Sequence, residues 1–185
     1  MPTERRVLVH TDPEALANAV AARFVTTMTG LLDERDDVHI VLTGGSVGIA
    51  VLSAIARHPE QATIDWSRVH VWWGDERWVP RAHADRNAVQ AQEALLDHVP
   101  IPAGNVHPFP ASDDGLELHA AAAHYRDELL GVGGGTMPRL AITFLGVGPD
   151  GHIASLFPER EGPRVAEATV IAVDDSPKPP PQRLT

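Results

Sequence analysis

The sequence predicts a three-layer α/β fold, a mostly parallel sheet with helices on both faces in a Rossmann-like arrangement, on three observations. Apolar runs of strand length alternate with longer stretches whose apolar residues recur at helical spacing. Three of these runs exit into segments rich in glycine or charge, where a doubly wound sheet holds its ligands. The 185 residues, 43% of them hydrophobic, suit one core and contain no repeat or internal linker.

Residues 5–10 read as a first strand, after which Asp12 and Pro13 supply an N-cap and a proline at the first helical position. Leu16, Val20, Phe24 and Met28 then recur every fourth residue, and Val25, Leu31 and Leu32 widen the stripe, so a helix is expected to about Glu34. Residues 38–43 form the next strand, closed by Gly44 and Gly45, and residues 49–57 a helix. A third strand covers 68–73. Residues 80–85 form a loop in which Asp85 is placed to cap a helix from about 86 to 96. A proline-punctuated connector, 100–110, leads to a helix over 116–130 with Leu116, Ala120, Ala123 and Leu130 inward. Residues 140–145 are nearly all apolar, which predicts a central parallel strand.

Composition excludes several classes of function. A formal charge of −10 opposes the basic footprint of nucleic-acid binding, so cationic groups must act locally. Those are fourteen Arg and one Lys, Lys178. With no cysteine there are no disulfides, thiolate nucleophiles or Cys-based zinc sites. The N-terminus lacks the apolar region of a secretory signal, and no apolar run of about 18 residues stands out, so a cytoplasmic protein with no membrane partner is expected. The other nine histidines share no ligand spacing with His152, and H-E-x-x-H is absent, so neither metal nor cofactor is expected. Oligomeric state stays open.

Three strand exits carry the chemistry. Thr43-Gly44-Gly45-Ser46-Val47-Gly48 joins strand to helix, so its backbone N–H groups and the Ser46 hydroxyl suit a phosphate, although the same glycines suit a plain tight turn. It lacks a P-loop lysine. Residues 44–48 also satisfy the G-x-S-x-G elbow, but only one strand precedes them and no His-Gly-Gly-Gly segment lies upstream. In Gly74-Asp75-Glu76-Arg77, extended geometry puts Asp75 and Arg77 on one side and Glu76 on the other. That opposes a two-carboxylate metal site and permits an arginine held by a carboxylate and aimed at a phosphate; a solvated, salt-bridging turn is the alternative. The third exit is Gly146-Val-Gly-Pro-Asp-Gly-His152-Ile-Ala-Ser-Leu-Phe-Pro158. His152 is read at the start of a short helix, whose dipole would keep the imidazole neutral and fit for general-base work, with Asp150 and Gly151 just before it.

Together these segments, with Leu42-Thr43-Gly44-Gly45-Ser46, Trp73-Gly74-Asp75-Glu76-Arg77-Trp78-Val79-Pro80, Asp85-Arg86-Asn87 and Ser176-Pro177-Lys178-Pro179-Pro180, resemble the 6-phosphogluconolactonase family, in the broader group that contains glucosamine-6-phosphate deaminase. The likeness spans nearly the whole chain. Deaminases usually follow Asp-Gly-His with Ala-Phe-Asn-Glu-Pro and carry Met-Asp-Glu-Tyr where this chain has Gly74-Asp75-Glu76-Arg77. The resemblance implies hydrolysis of 6-phospho-D-glucono-1,5-lactone to 6-phosphogluconate in the oxidative pentose phosphate pathway, without metal or coenzyme. It implies His152 as the base, Asp75 shaping the site beside it, and Arg77, Lys178 and the Gly44-Gly45-Ser46 turn on the phosphate. Backbone N–H groups near Gly151 are a candidate oxyanion site, and Asn87 and Arg183 are further polar contacts. Two departures stand out: Val47-Gly48 replaces the family's frequent Thr-Pro, and the family pattern continues past Thr185. Residues 1–185 are therefore expected to form a single lactonase domain lacking its C-terminal part, with an exposed sheet edge and apolar face and, if they are the whole gene product, to be marginally stable or inactive.

Overall fold

The computed structural model describes residues 5–166 and 169–185. Helix α1 spans Pro13–Glu34, and the Asp12 carboxylate accepts the Ala15 N–H at 2.8 Å, closing the helix start that Pro13 begins. Its stripe of Ala17, Ala21, Phe24, Val25, Met28 and Leu32 is buried. The chain does contain one stretch of membrane-spanning length, contrary to the sequence reading: an 18-residue window of α1 reaches a mean hydropathy of 1.3. The buried stripe, packed on the sheet and on the next helix, marks it as a core helix.

Strand β1 (Val38–Leu42) leads into α2 (Gly45–Arg57), and β2 (Val69–Trp73) into the two-residue β3 (Glu76–Arg77). Then come α3 (Asn87–Ala94), α4 (Leu118–Val132), β4 (Leu140–Thr143), β5 (Ala172–Val173) and β6 (Arg183–Leu184). The main sheet has the order β2-β1-β4 and is parallel throughout. All five residues of β1 are buried, so β1 holds the centre that the apolar run at 140–145 had suggested for β4. Strand β4 is flanked only by β1 among the described residues, which leaves it half-buried with Thr143 exposed. An unbroken apolar run reports packing on both faces; it does not report how many neighbours share the edges.

Other boundaries moved for local reasons. Residues 5–10 form no strand, and Val7 and Val9 are 88% and 89% exposed. Helix α2 starts at Gly45, four residues early, because Gly45 takes φ +82° and lets the chain turn directly out of β1. Helix α4 buries Leu118, Ala121, Ala122, Tyr125 and Leu129, while Ala120 is exposed. Tyr125 sets that rotation: its hydroxyl accepts the Trp73 N–H at 3.0 Å and donates to the His107 carbonyl at 3.1 Å. A second, antiparallel sheet, β3-β6-β5, pairs Arg77 with Arg183 and brings the C-terminal strand against the exit of β2.

At the opposite end of β1 and β2 lies a chain of imidazoles. His39 Nδ1 accepts the Trp72 indole N–H at 3.1 Å and stacks on His70 at 4.7 Å. His70 Nδ1 meets His107 Nε2 at 3.0 Å, and His107 Nδ1 meets Glu128 Oε1 at 2.8 Å. Burial, followed by the neighbouring histidine charges and opposed by Asp37, holds His39 and His70 below the ordinary value of 6.5. Below that value the unfolded chain binds more protons than the fold, so stability rises with pH through this window and is lost on acidification. The unfolding free energy from urea titration is expected to be lower at about pH 5.5 than at about pH 7.5. His70→Gln should shrink that difference; an unchanged difference would exclude His70 as a contributor.

Candidate active site

The carboxyl ends of β1, β2 and β4 open into a cleft of about 720 Å³. Residues 43–48 form one wall, residues 145–149 with His152, Ala154 and Phe157 another, and Leu16, Asp75, Arg77, Asn87, Lys178 and Arg183 the rest. The three strand exits singled out from sequence thus meet, as sheet topology requires of a switch point.

The wall at 43–48 is the start of α2. Gly44 occupies the cap position with no side-chain hydrogen bond, so the first N–H groups of the helix face the cleft without a side-chain cap, beside Ser46. A Cβ on Gly44 would fall 1.9 Å from Asn87 Oδ1, so only glycine lets the Asn87 amide pack here.

Below this wall, Asp75 and Arg77 line the cleft while Glu76 turns inward and is fully buried, the alternation expected of an extended segment. Glu76 Oε1 accepts the N–H groups of Arg77 (2.8 Å) and Asn87 (2.7 Å), and Oε2 that of Ala88 (2.9 Å). Glu76, from a strand 11 residues upstream, therefore caps α3. Asp85 does not: its carboxylate lies at the exposed surface, and its carbonyl accepts Arg77 Nη1 at 2.6 Å. Arg77 is held by that carbonyl and not by a carboxylate as the sequence suggested. His83, with Asp85, stands outside the cleft. Arg86 Nε lies 3.6 Å from Glu76 Oε2, and its other nitrogens donate to the Phe109 and Pro110 carbonyls. Burial raises the Glu76 carboxyl above the ordinary glutamate value, against the pull of Arg86 and the three N–H donors.

The segment after β4 forms no helix. Gly148 N–H donates to the His152 carbonyl and Gly151 N–H to the Gly148 carbonyl, both at 2.9 Å, and isolated bridges join Val147 to Ile153 and Ile153 to Leu156. Pro149, Gly151 at φ +85° and Ala154 at φ +52° wind the chain into a tight loop instead, so the helix-dipole argument for His152 falls away. The Gly151 N–H is engaged by the Gly148 carbonyl, and Asp150 and Gly151 stand just behind the residues that line the cleft.

The loop gives His152 a different control. Its Nδ1 lies 2.5 Å from Asp150 Oδ1 and 3.3 Å from Lys178 Nζ, and Lys178 Nζ lies 3.5 Å from the same carboxylate oxygen. A carboxylate can only accept, so the contact to Asp150 makes Nδ1 the donor, and in the neutral ring that leaves the lone pair on Nε2. That bond holds the Asp150 carboxyl below the ordinary aspartate value. Gly148 is required beside the ring, because a Cβ there would fall 2.0 Å from His152 Cε1. Phe157 covers the ring at 4.7 Å.

Two residues that sequence reasoning left in reserve are integral. Asn87 is buried and donates to the Asp75 carbonyl at 2.8 Å and to its carboxylate at 3.2 Å. Arg183, also buried, donates to the carbonyls of Lys178, Pro179 and Pro180, fixing the lysine loop. Burial lowers its guanidinium below the ordinary arginine value, and Arg77 opposite it in the ladder lowers it further. Their opposition across a two-residue ladder was invisible in local pattern.

A carboxylate-backed imidazole facing a cationic, glycine-walled cleft at the carboxyl ends of parallel strands is the arrangement of an enzyme acting on a small anionic substrate. The family model for glucosamine-6-phosphate isomerases/6-phosphogluconolactonase matches residues 11–185, and the chain belongs to this family. Among its relatives, a 6-phosphogluconolactonase of Streptomyces coelicolor is 46% identical over 97% of this chain and 71% of its own length. One from Mycobacterium tuberculosis is 46% identical over 94% of this chain and 71% of its own. The crystal structure of a 6-phosphogluconolactonase from Thermotoga maritima superposes with a TM-score of 0.79 at 30% identity, covering 91% of this chain and 72% of that one.

Proposed function

We propose that the chain is a 6-phosphogluconolactonase, a single-domain hydrolase that opens 6-phospho-D-glucono-1,5-lactone to 6-phosphogluconate in the pentose phosphate pathway. The observation that carries the reading is the His152–Asp150 pair, which frees Nε2 as the base of a ring that lines the same cleft as Arg77, Lys178 and Arg183. His152 takes a proton from water as the water attacks the lactone carbonyl. A lactone is a labile ester, so a positioned base suffices without a covalent nucleophile. Arg77 and the Gly44-Gly45-Ser46 turn hold the phosphate through charge-assisted donors. Lys178, beside the base, lies within reach of negative charge on the phosphate or on the tetrahedral intermediate. Asp75, fully hydrogen-bonded, shapes the floor. The substrate requires neither metal nor coenzyme, and the protein is proposed to work in the cytoplasm.

Arg77→Ala is expected to raise KM for the phosphorylated lactone roughly 10- to 100-fold, the loss of one charge-assisted anchor. Hydrolysis of unphosphorylated glucono-1,5-lactone should be unaffected by the change. Equal effects on both substrates would remove Arg77 from the phosphate site.

A further inference from the structure

Ser155 follows the base by three residues, is 1% exposed, and does not line the substrate cleft. Its hydroxyl donates to Asp75 Oδ2 at 2.8 Å, a contact between residues 80 positions apart. Its N–H donates to Thr185 Oγ1 at 3.2 Å, and that hydroxyl in turn donates to the Gly74 carbonyl at 3.2 Å. The loop that carries His152 is therefore tied twice to the exit of β2, once through Asp75 and once through Gly74. Asp75 is held from its other side by Asn87. Other backbone bonds of residues 146–157 are local: Gly148 to His152, Gly151 to Gly148, Leu156 to Ile153, and Arg160 to the Phe157 carbonyl.

We propose that Ser155 is a positioning residue for lactone hydrolysis, fixing the distance between the base His152 and the phosphate anchor Arg77 through its hydrogen bond to Asp75; the proposal rests on those two assignments. A bound lactone touches both ends at once. Its phosphate is pinned on the strand that follows Asp75, and its carbonyl must meet a water held by the loop that follows Gly148. Contacts between strand and loop set that span, and among the described residues the Ser155–Asp75 hydrogen bond joins the two side chain to side chain. Ser155 is not in a nucleophile's position, because it is buried and does not line the substrate cleft, bordering instead a separate cleft of about 630 Å³ on the α4 side. Thr and Val at this position add the same methyl branch, so the cost of fitting it is common to both variants.

Ser155→Thr keeps the hydroxyl, and Ser155→Val keeps the added shape without it. The Thr variant is expected to retain kcat within about threefold of the wild type. The Val variant is expected to lose about 30-fold in kcat, the scale of a sub-ångström misplacement, while its affinity for 6-phosphogluconate by calorimetry stays within about threefold. In an Asp75→Ala background, Thr and Val at position 155 should give the same kcat, since the shared bond is already gone. Equal kcat for the Thr and Val variants in the otherwise native chain overturns the proposal. So does a loss of product affinity in the Val variant as large as its loss of kcat, which would mark collapse of the cleft. His152→Ala in the same assay separates the premise: an undiminished rate there sinks the base assignment itself, whereas a reduced rate there with equal Thr and Val variants sinks only the role of Ser155.

Discussion

His152→Ala is expected to lower kcat for 6-phosphogluconolactone by about 100- to 10,000-fold, with KM changed little. The split follows from the geometry. His152 supplies a lone pair at Nε2 to the water, whereas the donors that hold the phosphate stand on other segments, Arg77 on β3 and the 44–46 turn at the start of α2. Removing the imidazole leaves ground-state binding in place and takes away an interaction made in the transition state. Asp150→Asn should show a smaller loss in the same parameter. An amide can present an N–H to Nδ1 and so favour the tautomer that blocks Nε2, but the ring itself stays in place. The measurement is hydrolysis of freshly made lactone coupled to oxidation of 6-phosphogluconate, corrected for spontaneous opening. A His152→Ala rate equal to wild type would exclude the base. Ammonia release from glucosamine 6-phosphate would favour the deaminase branch of the family instead.

What could be read from sequence was governed by the range of the interactions that decide each feature. The start of α1 was legible because Asp12, Pro13 and the four-residue spacing of Leu16, Val20, Phe24 and Met28 act within one or two turns. The convergence of the 44–46, 75–77 and 150–152 segments was legible because parallel strands place all their exits at one edge. Neither the partner of His152 nor the cap of α3 was. Asp150 stood two positions from the histidine, but only the tight loop turns its carboxylate onto Nδ1. Asp85 had the residue type and the place of a cap; the carboxylate that does the capping arrives from the preceding strand, a tertiary contact that no local pattern records. The same holds for the place of β4 at the edge of the sheet among the described residues, which depends on what lies beside it.

Glu76→Ala is expected to be the most destabilising of the substitutions considered, costing about 3–5 kcal/mol, because it leaves the buried Arg86 guanidinium without its counter-charge. It also strips the acceptor from three N–H groups, of Arg77, Asn87 and Ala88, two of which open α3. Against a total of about 5–15 kcal/mol for a domain, that loss is enough to populate unfolded chain near physiological temperature. Two contributions are mixed in it, and a second substitution separates them. Adding Arg86→Met to Glu76→Ala removes the stranded charge while leaving the helix uncapped, so the double variant should recover roughly 1–3 kcal/mol of the loss. The residue of the deficit then measures the cap, about 1 kcal/mol for an ordinary helix start. Guanidinium titration of the three proteins at neutral pH, at constant m, provides the comparison. A double variant less stable than Glu76→Ala would mean that Arg86 stabilises the fold mainly through its bonds to the Phe109 and Pro110 carbonyls, with the buried ion pair secondary. The folded fraction of Glu76→Ala should still lose activity, since the α3 terminus that it frees carries Asn87, whose amide holds Asp75 on the floor of the cleft.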